Sequence, residues 1–175
     1  ELVHLSRILA DPKPKSPYAR YFPVLLNVSE YLDDYDVTVT DILLAIVTEI
    51  ADALRRELNV ELKDSYFTRR LNEIKQFFLS DTELNEGELS LPGAKAKILR
   101  LKTDPTGREN VRKALLPRMS TMLEEINMVF EEARLAVRRA KTGAGEQPYT
   151  DFVLMLDNLE KVQRVEGKAE GLESQ

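Results

Sequence analysis

The sequence predicts a helix-rich α/β fold with a small parallel sheet, a β-hairpin and a long helical insertion. Three observations predict it. Two nearly continuous apolar runs of strand length, Tyr21–Val28 and Asp151–Asp157, are bounded by turn residues, as in strands buried on both faces of a parallel sheet. Between them lie long stretches with apolar residues at steps of three and four, the period of an amphipathic helix. Glycine and proline are scarce, at 7 and 8 of 175 residues, which excludes a fibrous or low-complexity chain.

The first element is a helix over 1–10, with Leu2, Leu5, Ile8 and Leu9 at helical spacing. It has no capping residue ahead of it, which suggests a chain cut from a longer one. Three prolines between Asp11 and Pro17 demand a loop or extended segment. The strand Tyr21–Val28 follows; Pro23 fits best near its start or at a sheet edge. An acidic connector, 29–37, leads to Thr38 and Thr40, both suitable N-caps, with Asp41 in the first turn where the helix dipole favours an anion. The helix they open runs to about Leu58, with Val39, Ile42, Leu43, Ile46, Val47, Ile50 and Leu54 forming a wide apolar stripe.

A second helix is predicted over 64–79, burying Phe67, Leu71, Ile74 and Phe78. Alternation in Glu88-Leu89-Ser90-Leu91 and in Ala94-Lys95-Ala96-Lys97-Ile98, around Pro92-Gly93, predicts a hairpin over about 82–102. A single helical pattern then spans about 108–140, with Val111, Leu115, Met119, Met122, Ile126, Val129, Ala133 and Ala136 on its stripe. At 1.5 Å per residue it would be about 50 Å long, and Pro117 should kink it or split off its first turns. The second core strand, 151–157, completes the sheet. The Gly-, Glu- and Lys-rich tail, 166–175, has almost nothing to bury.

Composition narrows the function. No apolar run reaches the roughly 18–20 residues of a membrane span, and residues 1–5 do not read as a signal peptide. There is no cysteine, so disulfides and thiolate metal sites are excluded, and the cytoplasm is the expected compartment. A net charge of −5 disfavours direct nucleic-acid binding. One histidine, His4, cannot build a Ser-His-Asp triad, and with no cysteine it argues against a transition-metal site. On a helix beside apolar neighbours, His4 reads as a packed or surface residue.

The sharpest chemical signal is the strand Phe152–Leu156 closing on Asp157-Asn158-Leu159-Glu160-Lys161. Ligands of parallel α/β sheets sit beyond the carboxyl ends of the strands. A carboxylate there can hold Mg²⁺, directly or through water, and the ion bridges nucleotide phosphates. The competing reading is that Asp157 only caps the next turn. Basic residues Arg112, Lys113, Arg118, Arg134, Arg138, Arg139 and Lys141 alternate with glutamates and read as a solvated helix face, with Arg138-Arg139-Ala140-Lys141 as a local anion site at most. Met119, Met122 and Met128 read as core or helix-pairing surface.

The segment 152–161 resembles the Walker B strand of bacterial P-loop ATPases of the AAA, KAP-like and STAND-like group. Further segments follow the order of that group. Residues 1–7 resemble the helix after the phosphate loop, 21–28 the next strand, 37–45 the helix start after it, and 108–140 a long helical insert ahead of Walker B. The resemblance covers about residues 1–165, with the insertion over about 38–141. It implies a partial core of a nucleotide-driven switch that binds and hydrolyses ATP, with Asp157 as the magnesium and cofactor-binding residue.

Two departures stand out. No Gly-x-x-x-x-Gly-Lys-Ser/Thr occurs, so the backbone cradle and lysine that hold phosphate are missing, and the chain by itself should bind ATP weakly or not at all. Asn158 stands where the family usually has a second acid. Asn can orient water but cannot take its proton, so the resemblance places Asn158 and Glu160 in the catalytic role, with Glu160 able to substitute for the lost acid. The alternative is a non-catalytic helical module that pairs with a protein partner, or with a second copy, through the long stripe. Pairing of the Tyr21 and Asp157 strands in parallel would favour the ATPase reading, and a bundle without that sheet the module.

Overall fold

The computed structural model describes residues 2–10, 20–62, 95, 98–115, 119–140 and 149–161. In chain order these form α1 (Leu2–Ala10), β1 (Tyr21–Asn27), α2 (Val28–Tyr31), α3 (Val39–Leu58), α4 (Pro105–Leu115), α5 (Met119–Arg139), β2 (Asp151–Asp157) and a 3₁₀ turn at Leu159–Lys161. The predicted helix over 64–79, the first arm of the hairpin, and Pro117 lie outside the described residues.

β1 and β2 pair in parallel, in a register that sets Phe22 beside Phe152, Leu26 beside Leu156 and Asn27 beside Asp157. The two strands are far apart in sequence, and the helices between them return the chain so that β2 can lie parallel to β1. Burial along β1 alternates, with Phe22, Val24 and Leu26 inside and their neighbours half-buried. In β2 only Met155 is fully buried. The apolar runs led us to expect strands buried on both faces. The two faces differ because α3 and α5 fill one of them, whereas the nine-residue α1 covers the other. None of the residues of α1 is fully buried.

The core joins Phe22, Val24 and Leu26 to Leu44, Val47, Ile50, Ala51 and Leu54 of α3 and to Met122, Ile126, Val129, Ala133 and Val137 of α5. The three-four stripe predicted for the long helix is therefore used inside the chain, against α3 and the sheet. Phe130 meets Phe152 edge-on, with ring centroids 6.0 Å apart, and Tyr149 meets Phe22 in the same way at 5.4 Å. The Met set divides: Met122 is buried and Met128 exposed.

The helix ends obey local rules. At the start of α3 the Thr38 backbone N–H and hydroxyl both donate to Asp41 Oδ2, each at 2.8 Å. Thr38 is the cap; Thr40 lies buried within the first turn. The helix stops at Asn59, whose left-handed φ of 53° lets its N–H close on the Arg55 carbonyl. α4 opens with Pro105 in the first helical position, and Asp104 Oδ1 accepts the Gly107 N–H at 2.8 Å.

Two predictions need correction. Of the described residues of the proposed hairpin, Lys95 and 98–101 are helical and Lys102 is in a turn. Alanine, lysine and leucine favour helix, and Ile98 and Leu101, one turn apart, reach the core together. The alternation that suggested a strand is too short to outweigh this. The connector 29–37 also begins as a helical turn, α2, which buries Val28 and Tyr31.

Candidate functional site at the carboxyl ends of the strands

Parallel pairing brings the last residues of β1 and β2 side by side at one edge of the sheet. Asn27 and Asp157 are register partners there. Beyond Asp157 the chain turns sharply at Asn158, whose φ is 61°. Asparagine tolerates this left-handed conformation better than most residues. The turn directs the Asn158 side chain across to β1, where its Nδ2 donates to Asn27 Oδ1 at 2.9 Å. Asn27 Nδ2 in turn donates to Glu30 Oε1 at 2.9 Å. The Asn158 backbone N–H donates to Asp157 Oδ1 at 3.0 Å, and among the described residues no protein group bonds the other oxygen.

The predicted site residues thus divide. Asp157 and Asn158 are half-buried and sit in one polar cluster with Asn27 and Glu30. Glu160 lies on the exposed 3₁₀ turn with no described partner. Sequence reasoning missed Asn27 and Glu30. The rule that singled out Asp157, a polar residue closing an apolar strand, applies equally to Asn27 and would have found it. His4 is exposed on α1.

The residue after Glu30 is anchored in the core. Tyr31, 2% exposed, donates its hydroxyl to the buried Glu49 carboxylate. Lys95 Nζ donates to Glu49 at 2.9 Å and to Asp52 at 2.8 Å, and stands 5.7 Å from the Tyr31 ring centroid. Burial, and then the bond to anionic Glu49, push the Tyr31 hydroxyl well above the usual phenol range. Burial works against the Lys95 charge, but Asp52 and Glu49 outweigh it and raise its pKa.

Behind the site, two arginines of α4 seize the connector. Arg108 donates to Asp33 at 3.0 Å, to Asp36 at 3.1 Å and to the Leu101 carbonyl at 2.7 Å. Arg112 donates to Asp36 Oδ1 at 2.8 Å, to the Asp36 carbonyl at 2.8 Å and to Asp41. Both are buried, at 4% and 8% exposure. Arg112 was expected on a solvated face; its partners lie 71 and 76 positions away, beyond the reach of local pattern. Lys113 does face solvent, paired with Glu109. Of the basic cluster at the end of α5, Arg138 donates to the Thr150 carbonyl at 2.8 Å and lies 3.5 Å from Asp151, so it ties α5 to the start of β2.

A Walker-type magnesium site takes one strand-end carboxylate, with the hydroxyl of the phosphate loop's Ser or Thr, phosphates and water completing the shell. The free oxygen of Asp157 beside two amides fits that donor set. Among the described residues no group of three or more His, Asp or Glu side chains could enclose a metal by itself. Among them, too, no helix is long and apolar enough to cross a membrane. Comparison with family models, curated proteins and solved structures returns no match to this chain.

Proposed function

We propose that the carboxyl ends of β1 and β2 are the magnesium side of an ATP site in a P-loop type ATPase domain that works as a nucleotide-driven switch. The observation that carries this reading is the in-register parallel pairing that sets Asn27 beside Asp157 where ligands of such sheets bind. Asp157 would hold Mg²⁺ through its free oxygen, and Asn158 would orient water. In this reading the phosphate loop belongs ahead of α1, because residues 1–7 resemble the helix that follows that loop.

The test has two steps. The gene upstream of the codon for Glu1 is read for Gly-x-x-x-x-Gly-Lys-Ser/Thr, and the complete product is titrated with a fluorescent ATP analogue with and without Mg²⁺. Magnesium-dependent binding that Asp157→Ala abolishes is the expected result. An upstream segment without that loop, or binding indifferent to Asp157→Ala, would sink the proposal.

The helical-module reading retains one observation in its favour: Leu123, Met128 and Leu135 are exposed on α5. Sedimentation of the chain at rising concentration tests it, with a concentration-independent monomer counting against self-association.

A further inference from the structure

We propose that Glu30 is the carboxylate that takes the proton from the attacking water at this site, and that Asn27 is its positioning residue. The inference rests on the ATP-site reading. It answers the problem that Asn158 creates, because an amide cannot accept that proton. The resemblance pointed to Glu160 as the substitute, but the geometry favours another group. Glu160 has no described partner that ties it to the cluster. Glu30 is tied into the cluster by a continuous chain of bonds, from Asn158 Nδ2 to Asn27 Oδ1 and from Asn27 Nδ2 to Glu30 Oε1, each 2.9 Å.

The chain of bonds also sets the chemistry. Asn27 spends one amide proton on Glu30 Oε1, which fixes the carboxylate and leaves Oε2 to accept from water. Tyr31, the next residue, is buried and bonded to Glu49, so the backbone carrying Glu30 is anchored from below. Lys102 adds a second anchor by donating to the Ser29 carbonyl. Helix α2 lies against both β2 and the 3₁₀ turn that follows Asn158. In the step itself a water held by Glu30 and Asn158 attacks the γ-phosphorus of ATP. Its proton passes to Glu30 as the new P–O bond forms. The bond from the γ-phosphorus to the bridging oxygen breaks, and ADP leaves with that electron pair. Glu30 then releases the proton to solvent, which it reaches because it is exposed.

The experiment uses the complete encoded protein and measures two quantities for each variant, binding of a non-hydrolysable ATP analogue with Mg²⁺ and steady-state ATP hydrolysis. Glu30→Gln should bind within about threefold of wild type and lose hydrolysis by about a hundredfold or more, the usual share of a general base. Glu30→Asp should recover part of the rate. Asn27→Ala should lower kcat with KM little changed, a split that a merely structural role would not produce. Hydrolysis by Glu30→Gln at the wild-type rate, or a larger loss in Glu160→Gln than in Glu30→Gln, overturns the assignment while leaving the ATP site standing. A wild-type protein that fails to bind the analogue overturns both.

Discussion

Two polar clusters approach each other along the chain at Glu30 and Asp33, and they are built in opposite ways. Around Arg108 and Arg112, every described contact is spent on protein: three carboxylates and three backbone carbonyls answer two buried guanidinium groups. At the strand ends, Asp157, Asn158 and Glu30 are tied together only loosely and retain acceptors turned to solvent. A saturated buried ion network has nothing left for a ligand, and it punishes the loss of any member. A half-satisfied cluster at a sheet edge costs little to alter and has capacity to bind. The contrast separates the part of the molecule that holds shape from the part with room for chemistry.

The largest expected effect comes from the saturated cluster. Arg112→Leu leaves the buried Asp41 carboxylate without its guanidinium partner, while Asp36 keeps Arg108, and should cost about 3 kcal/mol, as for other buried pairs broken at one partner; urea denaturation measures it. A cost near zero would mean that the clamp is ornamental and the contrast false. Gly107→Ala should cost about 1–2 kcal/mol, because a Cβ there runs into the Asp104 carboxylate that caps α4; the shift in thermal midpoint reads it out.

The same clamp predicts an acid response. Partial burial works to raise the Asp36 carboxyl, but its bonds to Arg112 and Arg108 outweigh that and hold it below the ordinary carboxylate value. A folded-state pKa below the unfolded one gives stability that is present above about pH 4 and is lost as pH falls through the folded value. Asp36→Asn should therefore flatten the stability–pH curve below about pH 5, seen in denaturation midpoints measured from pH 7 to pH 3. An unchanged slope would remove Asp36 from the network's energetics.

The smallest effect is expected at the other cluster. Asp157→Asn should leave stability within about 0.5 kcal/mol, the range of surface changes away from special features. If calorimetry instead finds a loss comparable to that of Arg112→Leu, Asp157 is a structural cap and the functional reading of the strand end fails.

Much of the fold was legible because the signals are local. The Tyr21 and Phe152 strands are short apolar runs between breakers, and both pair. Thr38 with Asp41 is a cap written within four residues, and the helix it opens ends at Leu58 as its stripe predicts. Asp157 stood out because it closes a strand. The hairpin was misread because five alternating residues also satisfy a helical turn, and only contact with the core chooses between them.

By itself, then, the sequence determined the type and approximate bounds of the elements whose periodicity is strong, and the place of one strand-end carboxylate, since both depend on neighbours within a few residues. The tertiary structure alone decided that β1 and β2 lie parallel in register, that Asn27 and Glu30 join Asp157 and Asn158, and that Arg108 and Arg112 are buried rather than solvated. Those outcomes depend on partners about 70 to 130 positions apart. A charged side chain reads the same in sequence whether it meets water or a carboxylate brought back by the fold, and only the packing of α4 on the connector and of β2 on β1 distinguishes the two.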